Sequence, residues 1–195
     1  MLNGFLNINK DSGMTSNDVL YKVKKIFYPT LGKIKIGHTG TLDPLATGVL
    51  PIAFGEATKT IQFQMDSKKT YEFNIIFGTS TTTDDAGGEV IQTSTTIPTK
   101  KQIEAILPTF LGHILQTPPK YSAIRINGQR AYLLAREGKD FEITPRENFI
   151  HKLILKKQIS DKEFQFEVCA NKGFYVRSIG RDIANALNTV GYISY

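Results

Sequence analysis

Alternation of apolar and polar residues along the chain predicts several short strands. Gly4–Lys10 alternates in this way, and the apolar residues of Tyr71–Phe77 share one strand face. A turn-rich run, TTTDDAGG, follows the second of these segments and predicts a hairpin with Glu89–Thr95. Further strands are expected at Val49–Phe54, Phe149–Ile159 and Glu163–Ala170.

Apolar residues three and four positions apart predict helices elsewhere. The first helix is expected to be capped by Ser16 and to end before Pro29. A capping box at Thr99 predicts a helix that runs to Phe110. Two more helices are expected, a short one at Thr58–Met65 and one that begins at Tyr175 and reaches Leu187. The segment Thr117–Tyr132 is rich in turn residues and aromatics, and we interpret it as an irregular loop of a functional site.

Strands and helices are mixed along the chain without regular alternation, and this order favours an α+β fold. No repeat, low-complexity tract or linker interrupts the 195 residues. We therefore expect a single domain over residues 1–195, built on a mixed, mainly antiparallel sheet flanked by helices.

Charge and cysteine content narrow the class of protein. The net charge is +6, with small clusters of lysines, which favours a nucleic acid partner, although solubility alone also explains a basic surface. Cys169 is the single cysteine, no export signal opens the chain, and no apolar run is long enough to cross a bilayer. These features predict a cytoplasmic protein that does not enter a membrane.

Common catalytic patterns are missing from the sequence. The three histidines, His38, His113 and His151, have no metal-ligand spacing, and no phosphate-binding glycine loop or serine-hydrolase elbow occurs. The run GHTGTLDPLATGVLP instead surrounds one acid, Asp43, with glycines and prolines. Glycines permit a close approach of a ligand, but an isolated Asp-Pro is more often a turn or a helix cap.

This run resembles the TruB family of bacterial tRNA pseudouridine synthases, which act on the T-loop uridine, uridine 55. Other motifs of that family follow in the same order and extend over essentially the whole chain. They are GFLNINKDSGMTSNDV, GEATK, KTYEF, PPKYSAIRINGQRAY and NKGFYVRSIGRDI.

The resemblance implies the residues that carry the reaction. Asp43 matches the catalytic aspartate, acting as a nucleophile at the ribose or as a base at its 2′ position. Tyr71 matches the tyrosine that stacks on the flipped base, although a core aromatic would look the same. Arg177 matches the arginine that keeps the aspartate ionised, whereas a solvated helix face is the simpler alternative. No metal or cofactor is implied.

Residues implied to bind the substrate, the T-stem and loop of tRNA, lie in the same motifs. His38 matches a residue that enters the RNA loop when the base flips, and Tyr175 matches a wall of the base pocket. Lys10 and Lys59 match motif lysines with structural or RNA-backbone contacts. Asp85 aligns with an acid linked to the arginine, although turn formation also explains it.

Three departures from the family pattern qualify this interpretation. Asp11 stands where the family has proline, and Thr82 replaces a first aspartate. The chain ends before the family's Leu-Arg-Arg run and its C-terminal PUA domain. We expect a monomer that is either a weakened synthase or an RNA-binding module without chemistry. The related guide-RNA-dependent branch is a third alternative, but no guide RNA is expected here.

Overall fold

The computed structural model describes residues 2–195, and the chain divides into two compact units, Met1–Ser67 and Lys68–Tyr195. The expectation of one domain over the whole chain stays a prediction. Within residues 2–195, no helix combines the length and apolar character that crossing a membrane would require.

The first unit is a helix packed on a three-stranded antiparallel sheet. Its strands β1 (Gly4–Lys10), β2 (Ile36–His38) and β3 (Gly48–Phe54) lie in the order β1-β3-β2. Helix α1 (Ser16–Leu31) buries Val19 and Val23 against Leu50, Ile52 and Phe54 of β3. A 3-10 turn (Gly55–Thr60) and helix α2 (Ile61–Asp66) follow, where the sequence predicted one helix over Thr58–Met65.

Both predicted ends of α1 were wrong. Thr15, and not Ser16, is the N-cap, because its hydroxyl accepts from the Asp18 amide while the Asp18 carboxylate accepts from the Thr15 amide. The helix also passes through Pro29 and ends at Leu31, and the amide of the C-cap Gly32 donates to the Tyr28 carbonyl. Pro29 is tolerated because the hydrogen bond that it removes belongs to the exposed last turn.

The second unit is built on a five-stranded antiparallel sheet. Its strands are β4 (Lys69–Phe77), β7 (Gly112–Gln116), β10 (Arg146–Gln158), β11 (Glu163–Ala170) and β12 (Gly191–Ile193). They lie in the order β12-β4-β11-β10-β7. Two small ribbons accompany the sheet, namely β5 (Thr79–Thr81) with β6 (Val90–Thr93), and β8 (Arg125–Ile126) with β9 (Gln129–Arg130). The helices are α3 (Lys100–Ile106), α4 (Ala131–Arg136) and α5 (Val176–Ala186).

The core of this unit lies between the sheet and α5. The Phe73 and Phe166 rings stack with centroids 5.5 Å apart, and Ile179 and Ile183 of α5 are fully buried in the same cluster. Each buried side chain of this size contributes roughly 1.5–3 kcal/mol through the hydrophobic effect. This packing fixes the start of α5 relative to the sheet.

The predicted α+β class is confirmed. All named strand pairs among residues 2–195 are antiparallel, and the parallel element there is an isolated bridge between Asp85 and Ile193. The hairpin after β4 is confirmed, although its strands are shorter than expected. The loop predicted over Thr117–Tyr132 was partly wrong, because it contains the β8/β9 ribbon and the start of α4.

Candidate active site

Asp43 lies exposed at the start of a tight turn in the first unit. The Ala46 amide donates to the Asp43 carbonyl at 3.1 Å, which closes the turn around Pro44 and Leu45. An exposed carboxylate on such a turn is accessible to a ligand.

The backbone on both sides of Asp43 is hydrogen-bonded to neighbouring segments. On one side, the Ser16 hydroxyl accepts from the Leu42 amide at 2.9 Å and donates to the Leu42 carbonyl at 3.2 Å. On the other side, the Gly13 amide donates to the Pro44 carbonyl at 2.8 Å. The position of the carboxylate is therefore set by α1 and by the turn that precedes it.

Lys10 makes a further hydrogen bond to the loop that carries Asp43. Its side chain is 1% exposed, and its ammonium donates to the carbonyls of Asp11, Met14 and Pro44. Burial lowers the pKa of Lys10, and the negative charge of Asp43 opposes that shift. Of the two roles implied for Lys10, this environment favours the structural one over an RNA-backbone contact.

His38 and Lys59 lie elsewhere in the first unit. His38 is the last residue of β2, is half-buried, and has a buried Nδ1 with no hydrogen-bond partner among residues 2–195. Lys59 is exposed and forms an ion pair with Glu56 in the 3-10 turn. The ammonium of Lys59 is thus accessible to an anion, and that of Lys10 is not.

Arg177 occupies a buried position in the second unit. The residue is 8% exposed, and its guanidinium donates to the carbonyls of Thr83 and Tyr121, each at 3.1 Å. Its Nε lies 3.7 Å from the Asp85 carboxylate, within ion-pair distance, and that carboxylate also accepts from the Gly87 amide within its own turn. The alternative of a solvated helix face is wrong, because the side chain is enclosed by two loops.

A second arginine, one turn further along α5, holds the same two loops. Arg181 donates to the Asp84 carboxylate at 2.8 Å and to the Thr117 carbonyl at 2.7 Å. Burial raises the pKa of Asp84 against the opposing charge of Arg181, and burial likewise raises the pKa of Asp182. No local pattern in the sequence identifies these partners of Arg181, because they lie 97 and 64 positions away.

The two tyrosines that the resemblance implies have different surroundings. Tyr71 is half-buried on β4 and packs against the core cluster of its unit. Tyr175 is the N-cap of α5, and its backbone is bonded on both sides by the Gln116 side chain. Gln116 was missed from the sequence, because nothing in the local pattern identifies its partner.

The structure thus places the predicted residues in two groups. The first unit contains Asp43, Lys10, His38 and Lys59. The second unit contains Tyr71, Tyr175, Arg177 and Asp85. An ionised carboxylate can act as a nucleophile or as a base, and buried arginines supply positive charge. Within residues 2–195 no cluster of His, Cys, Asp or Glu side chains is arranged to hold a metal ion.

Comparison with known proteins identifies a family with the same motifs. The family described as TruB family pseudouridylate synthase (N terminal domain) matches residues 24–176. A tRNA pseudouridine synthase B from Gluconacetobacter diazotrophicus is 48% identical over 193 residues, which cover 99% of this chain and 62% of that relative. The chain thus spans less than two thirds of the length of this relative.

Solved structures share the fold. The crystal structure of a Cbf5-Nop10-Gar1 complex superposes with a TM-score of 0.72 at 27% identity, covering 98% of this chain and 46% of that one. An H/ACA RNP bound to a substrate RNA containing 2′-deoxyuridine gives a TM-score of 0.69 at 25% identity, covering 98% of this chain and 45% of that one. Since the family match extends over most of the sequence, the chain belongs to the TruB family of pseudouridylate synthases.

Proposed function

We propose that this chain converts the T-loop uridine 55 of tRNA to pseudouridine, with the Asp43 carboxylate as the reacting group. The observation that carries the proposal is the placement of Asp43, which is exposed on a turn whose flanking residues are both fixed by hydrogen bonds. Pre-organised placement of a reacting group is a large source of catalytic rate. The 48% identity to a tRNA pseudouridine synthase B supports the same reaction.

The proposed reaction is an isomerisation, so the product has the same atomic composition as the substrate although one hydrogen exchanges with water. The bond between N1 of uracil and C1′ of ribose breaks, the base turns, and C5 bonds to C1′. C5 then loses its hydrogen as a proton, and N1 gains one from solvent or a protein group. In one route Asp43 bonds to C1′ as N1 leaves and is displaced when C5 bonds to C1′. In the other route it removes a proton from the 2′ carbon as N1 leaves, and that carbon regains a proton when C5 bonds to C1′. Both routes need a single ionised carboxylate.

The other residues are proposed to hold the RNA and the flipped base. Tyr71 and Tyr175 present aromatic rings, which bind unstacked bases well. His38 would fill the space left in the RNA stack. The exposed Lys59 is proposed to contact RNA phosphates, and the buried Arg177 to supply the positive charge that an ionised carboxylate requires.

Tritium release tests this proposal directly. A T-arm stem-loop labelled at uridine C5 should release tritium to water when it is incubated with the chain alone. The matched control is the same stem-loop with the label on a stem uridine, from which no release is expected. Release that depended on an added guide RNA would overturn the proposal in favour of the guide-dependent branch.

A second candidate function is RNA binding without catalysis. The observation that favours it is the net charge of +6, which attracts the phosphates of RNA whether or not a reaction follows. A gel shift with the same stem-loop separates the two functions, since binding without tritium release would identify the binding module.

A further inference from the structure

We propose that Gln116 is a positioning residue that orients Tyr175 and, through it, the start of α5. The inference rests on the proposed function, because it assigns Gln116 to the same reaction. It concerns a residue that does not touch the RNA and acts through its neighbour.

The contact is a pair of hydrogen bonds between the Gln116 side chain and the backbone N–H and C=O of one residue, Tyr175. Gln116 Nε2 donates to the Tyr175 carbonyl at 3.0 Å, and Gln116 Oε1 accepts from the Tyr175 amide at 2.8 Å. A primary amide presents one donor and one acceptor side by side, and this is the pattern that a neighbouring strand would offer. Both polar groups of the Tyr175 backbone are thereby held from one direction.

The position of Tyr175 explains why this matters. Tyr175 has extended backbone angles, φ −114° and ψ 111°, and its carbonyl also accepts from the Ile179 amide in the first turn of α5. A rotation of the peptide groups around Tyr175 would therefore redirect both its own ring and the helix that carries Arg177. Gln116 opposes that rotation.

The burial of Gln116 supports a geometric role. The residue is 2% exposed at the end of β7, so its amide is removed from water. A buried amide costs free energy unless it is hydrogen-bonded, and the two bonds to Tyr175 give its nitrogen and its oxygen one partner each. An apolar side chain of similar length could fill the volume, but it could not hold the peptide groups of Tyr175.

The adjacent residue strengthens the same attachment. The Thr117 carbonyl accepts from the Ser178 hydroxyl and from Arg181 Nη2, both at 2.7 Å. Residues 116 and 117 are therefore hydrogen-bonded to the N-cap and the first two turns of α5. Gln116 is the member of this attachment that reaches a residue proposed to touch the base.

Replacing Gln116 by glutamate makes the hydrogen bond to the Tyr175 carbonyl depend on pH. A protonated glutamate offers one hydroxyl donor and one carbonyl acceptor, as glutamine does, whereas an ionised glutamate has no donor for the Tyr175 carbonyl. Burial should raise the pKa of the introduced carboxyl. Gln116→Glu should therefore approach wild-type kcat at about pH 5.5 and fall roughly 10- to 100-fold below it at about pH 8, because small misplacements near the chemistry have effects of this size.

Three controls separate positioning from loss of the fold. Gln158→Glu places the same charge at an exposed position and should leave the pH profile of kcat unchanged. Gln116→Met removes both hydrogen bonds at similar volume, and should lower kcat at every pH while the affinity for the stem-loop stays within about threefold. Thermal melts at each pH fix an assay temperature at which all variants are folded.

A double replacement tests whether the effect passes through Tyr175. In a Tyr175→Ala background, the pH-dependent loss caused by Gln116→Glu should shrink, because the part that passes through the ring is already gone and the part that passes through the backbone to α5 remains. The inference is overturned if Gln116→Glu follows the wild-type profile at every pH. A wild type that releases no tritium refutes the proposed function itself. An active wild type whose kcat is unaffected by replacement of Gln116 refutes only the role of Gln116.

Discussion

Replacing Lys10 by methionine should destabilise the first unit strongly, although Lys10 is one of many lysines in a basic protein. The ammonium donates to three backbone carbonyls, those of Asp11 at 3.0 Å, Met14 at 2.7 Å and Pro44 at 3.2 Å. Methionine has nearly the same length but no donor. All three carbonyls would lose the ammonium as their partner.

The magnitude follows from the number and type of these bonds. A hydrogen bond to a charged group contributes roughly 1.5–3 kcal/mol, so three bonds set an upper bound of about 9 kcal/mol. Burying the ammonium costs part of this gain, as the lowered pKa of Lys10 shows. We therefore expect a net loss of about 3 kcal/mol in the free energy of unfolding. For a chain of this size the melting temperature should fall by roughly 6–12 °C.

Thermal melts followed by far-ultraviolet circular dichroism measure the effect. Lys25→Met removes an exposed lysine from α1 and is the matched control, with an expected change within about 0.5 kcal/mol. If Lys10→Met melts within about 2 °C of the wild type, the three carbonyl contacts contribute little and the reasoning is refuted. Because Pro44 follows Asp43 directly, we also expect lower tritium release at temperatures where the variant is folded.

Three further replacements test other parts of the structure. Gly55→Ala should lower the free energy of unfolding in urea by about 1–3 kcal/mol, because φ is 58° and a β-carbon would lie 2.6 Å from the Leu2 carbonyl oxygen. An unchanged midpoint of unfolding would contradict this. Phe166→Ala should cost about 3–5 kcal/mol in the same assay, because it empties the stacked core, and a loss below about 1 kcal/mol would argue against that packing. Asp84→Asn should gain stability relative to the wild type as the pH rises. The folded-state pKa of Asp84 is raised above its usual 3.8, so the contribution of Asp84 to stability is greatest below pH 3.8 and is lost as the pH rises through the raised pKa. Thermal melts in which the stability of Asp84→Asn falls relative to that of the wild type as the pH rises would contradict this.

Local patterns were enough to predict the elements whose residues interact with near neighbours. The strict alternation in β4, the capping box at Thr99 and the apolar face of α5 all express short-range rules, and the structure contains each of them. Strand β12 has only three residues and β8 only two, so neither carries enough of a period to be read from the sequence.

Long-range polar contacts could not be predicted from one sequence. Gln116 and Tyr175 are 59 positions apart, and Arg177 lies 94 positions from the Thr83 carbonyl that it holds. Glutamine and arginine are usually exposed, so composition favours the surface for both. Their burial follows from backbone groups that the tertiary fold brings near them. The resemblance indicated the importance of Arg177, but it indicated neither Gln116 nor the Ser16 contacts beside Asp43.

Tritium release by Asp43→Asn, compared with the wild type, tests the central claim most directly. Asparagine preserves the size of the side chain and removes the ionised carboxylate, so the turn around Pro44 should persist. Asp161→Asn, in the exposed turn between β10 and β11, is the matched control and should keep full activity. We predict that Asp43→Asn releases no tritium above background while binding the stem-loop with unchanged affinity in a gel shift. Release at the wild-type rate would contradict the assignment of Asp43 as the reacting group.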